Sequence, residues 1–162
     1  RSGAAPVDAM RTPLGSTGSL PWLYAYDNAN SGLFDNGEGV PVGGADGTVA
    51  VGTTVCSAGQ FSPANQVGGD FKNCGTVSSV DVANVFRRQL GSPDRFTLQN
   101  SNVADYVGIG GDSGAPVWRL AYESGSGFEA IAVGHHSGGQ NGEIFNDIDR
   151  VEDALNVDIV HF

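Results

Sequence analysis

Apolar and polar residues alternate along this chain in short stretches rather than with a helical period. Thr48-Val-Ala-Val-Gly-Thr-Thr-Val55 is rich in β-branched residues and predicts a strand running straight into Cys56. Gly75-Thr-Val-Ser-Ser-Val-Asp-Val82 predicts another, beginning directly after Cys74. The same signal predicts strands at Arg95–Gln99, Ala115–Tyr122, Ala130–His136 and Glu143–Asn146. Turn clusters, Ser124-Gly-Ser-Gly127 and Ser137-Gly-Gly-Gln-Asn-Gly142, separate them. Strands at this spacing without long helices predict an all-β barrel or sandwich. One helix is predicted near the C-terminus. Asp149 and Glu152 have the spacing of a capping box, and Val151, Ala154 and Leu155 form one apolar face that should pack on the sheet as a lid. Across residues 11–47, Pro, Gly, Asn and Asp break every apolar run, and no element is predicted.

Composition narrows the function classes. The chain has 162 residues, enough for one domain or a large piece of one, and 40% hydrophobic content argues against wholesale disorder. Its 25 glycines and 7 prolines fit many turns between short strands. Eight Lys+Arg against 18 Asp+Glu give a formal charge of −10, and Lys72 is the single lysine. No basic stripe exists to neutralise phosphates, so nucleic acid is not an expected partner, and anionic membranes are disfavoured. No run of 18 apolar residues occurs, so no membrane-spanning helix is expected. Arg1-Ser-Gly-Ala-Ala-Pro has neither the charged head nor the apolar stretch of a signal peptide, and Arg1 looks like a cleavage product or an artificial boundary.

Cys56 and Cys74 are the only cysteines. Two thiolates with no nearby histidine make half a metal shell, so neither a metal nor another cofactor is expected. A disulfide closing a loop is the better reading, and it implies an oxidising, extracytoplasmic setting. Two free core cysteines are the alternative.

Chemistry concentrates in Gly110-Gly-Asp-Ser-Gly-Ala-Pro-Val-Trp118. Small residues on both sides of Ser113 let the backbone turn sharply and leave the hydroxyl exposed. The N–H groups of Gly111 and Ser113 can lie side by side, forming an oxyanion hole for a tetrahedral intermediate. Asp112 is expected to be a buried carboxylate that anchors the loop by an ion pair or by hydrogen bonds.

Gly111-Asp-Ser-Gly-Ala-Pro116 resembles the nucleophile motif of chymotrypsin-like serine proteases, specifically the bacterial streptogrisin and glutamyl endopeptidase branch. Val55-Cys-Ser-Ala-Gly59 with Asn73-Cys-Gly-Thr-Val77 is similar to that branch's strand–disulfide–strand element. Gly134-His-His-Ser-Gly-Gly139 is similar to the strand lining its substrate cleft, and Ile144–Val160 to its last strand and C-terminal helix. The resemblance covers roughly residues 48–160. It implies a trypsin-like double β-barrel, with residues 1–47 supplying part of an N-terminal barrel and the inter-barrel connection. Residues 48–162 would form a complete C-terminal barrel.

The resemblance also implies roles. Ser113 would be the nucleophile of a secreted endopeptidase working by acyl transfer. Asp8, in Val7-Asp-Ala-Met10, would orient the base, with Asp27 as competitor. The base itself is missing: His135, His136 and His161 all follow Ser113 in a family whose triad runs His, Asp, Ser. Either this chain is the C-terminal piece of a nicked protease, partnered by an N-terminal fragment that carries the histidine, or it is a non-catalytic module that binds peptides or proteins. Ser137, Gly138 and Gly139 would pair with an extended peptide or protein substrate. His136 would lie at the base of the primary specificity pocket, where a histidine implies a preference for glutamate. His135 should face the other way and be structural, and His161 should be a terminal surface residue.

Overall fold

The computed structural model describes residues 22–24, 39–57, 73–87, 93, 95–110, 112–123, 127–139 and 141–159. Asp8, Asp27, Gly111 and His161 lie outside these residues, as does most of the span expected to form an N-terminal barrel. The architecture is all-β with one short helix. In chain order the strands are β1 (Trp22–Tyr24), β2 (Gly39–Ala45), β3 (Thr54–Ser57), β4 (Asn73–Arg87), β5 (Arg95–Ala104), β6 (Pro116–Glu123), β7 (Gly127–Gly139) and β8 (Glu143–Asp147). Helix α1 spans Ile148–Leu155.

Six strands close on themselves. β3, β4, β5, β8, β7 and β6 follow one another around a ring, each antiparallel to its neighbours. Closure pairs every ring strand on both sides over part of its length. Its interior is one apolar cluster to which every ring strand contributes: Val55, Val77, Ala104, Val117, Val133 and Phe145, joined by Tyr106. All seven are at most 3% exposed. Outside the ring, β2 runs parallel to β7, with β1 antiparallel to β2. Arg119 on β6 reaches Asp46 at 2.9 Å just beyond β2.

Cys56 and Cys74 sit directly opposite each other on β3 and β4 and are disulfide-bonded. Their Cα atoms are 3.9 Å apart, shorter than the usual bridging range of about 4.4–6.8 Å. Directly opposed positions of an antiparallel pair already bring Cα atoms to about 4.5–5.5 Å. The bridge packs against Trp118 and Ala130.

Three local expectations need correction. The predicted strand from Thr48 begins only at Thr54, because Gly52 adopts φ +93° and turns the chain there. Ala50 and Thr53 hydrogen-bond across that turn, and Gly52 N–H donates to Val77 O. β5 continues past Gln99 through the polar run Asn100-Ser-Asn102. Ser101 and Asn102 are buried, yet each is satisfied: Asn84 donates to the Ser101 hydroxyl, which donates to Val82 O, while Asn102 donates to Asp147. Helix α1 starts one residue before Asp149, with Asp147 at the N-cap, so no capping box forms. The Asp149 carboxylate instead accepts from Gly47 N–H at 3.2 Å. Ile148 and Val151 are the residues α1 buries, whereas Ala154 is exposed.

Candidate functional site

The loop preceding β6 presents Ser113. Asp112 is buried at 2% exposure, and its carboxylate accepts from Ile109 N–H at 3.1 Å. Asp112 N–H donates to Ile109 O, and Ala115 N–H donates to Asp112 O. These bonds pull the loop into a tight turn around a fixed carboxylate, as expected of Asp112. Ser113 stands at the crest of the turn and is exposed. Gly114 follows at φ +88°, a conformation that other residues adopt only under strain.

The turn is fastened to β7 through one residue. Gly114 N–H donates to His136 O, and His136 N–H donates to Ala115 O, both at 2.8 Å. Ser113 is thereby held beside the C-terminal end of β7. β6 pairs with β7 only as far as Pro116 opposite His135. Beyond that point Gly138 and Gly139 pair with β8 on one side. On the other side, among the described residues, no strand covers Ser137–Gly139. The exposed serine therefore adjoins a short segment that is paired on one side only among the described residues. Ser137 is buried, with its hydroxyl accepting from Asn146 at 2.7 Å, and this bond ties the edge down to β8.

Behind the edge lies a buried polar group. The His136 ring, 3% exposed, meets the Tyr106 hydroxyl through Nδ1 at 2.9 Å and points Nε2 at Glu143 Oε2, 3.7 Å away. Burial pushes the His136 imidazole below the ordinary histidine value of 6.5, against the opposing pull of the Glu143 and Asp112 carboxylates. Burial, reinforced by the same two carboxylates, drives the Tyr106 phenol far above its usual value of 10. A neutral ring beside a carboxylate keeps its proton on the nitrogen facing that carboxylate. Tyr106 then donates to Nδ1 while the Nε2 proton is directed at Glu143.

The structure brings Ser113, His136, Ser137, Gly138 and Gly139 together. Asp8 and Gly111 lie outside the described residues, so neither the triad carboxylate nor the paired oxyanion donors have a described geometry. His135 projects from the face of β7 opposite to His136 and is buried, its Nδ1 3.2 Å from His136 O. Sequence reasoning missed Tyr106 and Glu143. Glu143 takes its place from the β7–β8 register, which pairs it with Gly139, and Tyr106 sits in a connection between strands, so neither carries a local sequence signal.

Among the described residues no helix is long and apolar enough to cross a membrane, and no group of three or more His, Cys, Asp or Glu could hold a metal ion. No protein-family model and no curated protein matches this chain.

Proposed function

We propose that this chain is the nucleophile-bearing part of a secreted serine endopeptidase acting by acyl transfer, on the trypsin-like double-barrel plan. The observation that carries the reading is the pair of backbone bonds between Gly114, Ala115 and His136. They set an exposed Ser113 beside Ser137–Gly139, a segment that pairs on one side only among the described residues. A serine attacking a peptide carbonyl needs its substrate extended and held in register, and a bare edge does this through main-chain hydrogen bonds. Ser113 forms the acyl-enzyme, and its N–H, with that of Gly111, stabilises the oxyanion. Asp8 orients the base histidine, which the His, Asp, Ser order of the resembled family sets ahead of Asp8; His135, His136 and His161 all follow Ser113. The Cys56–Cys74 disulfide fits an oxidising compartment outside the cytoplasm.

The test is hydrolysis of a mixed peptide library by the native assembly, with intact-mass analysis for a second, histidine-bearing peptide. Cleavage that falls at least about a thousandfold in Ser113→Ala supports the reading. The position of all three histidines after Ser113 favours a second reading, a protease-like module that binds peptides without cutting them. That reading gains if the library binds but stays intact and no second peptide is found.

A further inference from the structure

Glu143 is the first residue of β8 and the register partner of Gly139 on β7. Its carboxylate lies over two glycines, Gly108 and Gly139. A Cβ at Gly108, in the approach to the nucleophile turn, would come within 2.6 Å of Glu143 Oε2, and one at Gly139 within 2.5 Å. Both positions are bare where the carboxylate rests. The side chain is 17% exposed, reachable by a solute yet largely removed from water. Among the described residues its one cationic-type neighbour is His136, at 3.7 Å. That ring is already engaged by Tyr106 and is held neutral by burial.

Among the described residues no permanent cation faces this carboxylate, and an arriving ammonium or guanidinium group would supply one. An arriving carboxylate has the opposite effect, setting two like charges in one small space. His136 cannot offset this, because its outward nitrogen already faces Glu143. The −10 charge of the whole chain acts in the same direction, drawing cationic substrates in and slowing acidic ones.

We propose that Glu143 is the specificity-determining residue of the site and that it receives a Lys or Arg side chain of the substrate, with His136 and Tyr106 as its buttress. This replaces the glutamate preference implied by His136 alone. It rests on the endopeptidase reading for the identity of the substrate, though not for the existence of the cation subsite.

Small probes separate the two. Butylammonium, butyrate and butanol are titrated into the native assembly and followed through the His136 imidazole resonance, which needs no catalysis. Butylammonium should bind at least about tenfold more tightly than butanol, and butyrate should not bind. Glu143→Gln should bring butylammonium down to the level of butanol, and Glu143→Asp should retain a weaker preference, with melting curves confirming that both variants fold. Butyrate binding as well as butylammonium, or an unchanged butylammonium affinity in Glu143→Gln, overturns the proposal. If peptides are cut, cleavage after Lys or Arg should drop in Glu143→Gln while cleavage after Leu persists. Butylammonium binding without any cleavage counts against the endopeptidase reading alone.

Discussion

Ser113 owes its exposure to its neighbours. Asp112 below it is tied to Ile109, Gly114 after it takes φ +88°, and His136 clamps the turn from β7. The same histidine gives a pH signature. Its folded pKa is lowered by burial, so between that value and 6.5 the unfolded chain binds more protons than the folded one. The stability His136 contributes is complete above pH 6.5 and is lost as pH falls through the folded value. The melting temperature should therefore drop on acidification below pH 6.5. A His136→Asn variant should flatten that part of the profile, and the His136 resonance should titrate with a midpoint below 6.5. Gly75 is a second single-residue dependence: a Cβ there would meet Tyr106 N at 2.0 Å. Gly75→Ala should cost at least about 1–3 kcal/mol in denaturant melts and disturb the Tyr106–His136 contact. The nucleophile turn around Ser113 is legible in the sequence because small residues around a serine leave a local mark, whereas Ser137–Gly139, which the pattern assigns to a turn, continue β7 by pairing with β8. Glu143 is not legible either, since its meaning arises only when the β7–β8 register brings it over Gly108 and Gly139.

Among the elements, β3 and β4 are joined most firmly. The Cys56–Cys74 bridge spans directly opposed residues and closes a loop with a sequence separation of 18. Reduction should lower stability by about 2–4 kcal/mol, measured as a shift in the denaturant midpoint, and native protein unfolded without reductant should show no reactive thiol. Strand positions follow from β-branched alternation, but strand ends depend on partners that the pattern does not display. Gly52 ends the Thr48 run early because its N–H bonds Val77 O rather than continuing a ladder. The strand expected to end at Gln99 continues through Asn100-Ser-Asn102 because Asn84 and Asp147 satisfy the buried Ser101 and Asn102 side chains. The Asp149–Glu152 spacing suggests a cap, yet Gly47, distant in sequence, claims the Asp149 carboxylate. In each case a long-range hydrogen bond outweighs the local preference.

At the scale of the molecule, the ring makes the site and the core one cooperative body. Val55, Val77, Val117, Val133 and Phe145 come from five of its strands and meet in its centre, with Tyr106 linking that core to His136. Their amides should be among the slowest to exchange, opening only with global unfolding. Phe145→Ala, at a fully buried position between Ser113's clamp on β7 and the α1 end of β8, should cost about 3–5 kcal/mol. The central claim concerns Ser113 itself, and one measurement addresses it most directly: mass-spectrometric mapping of the adduct formed when the native assembly meets a serine-directed phosphonate. The account predicts a single adduct on Ser113, absent after unfolding. Native protein that leaves Ser113 unmodified, or that is modified at other serines equally well, would contradict it.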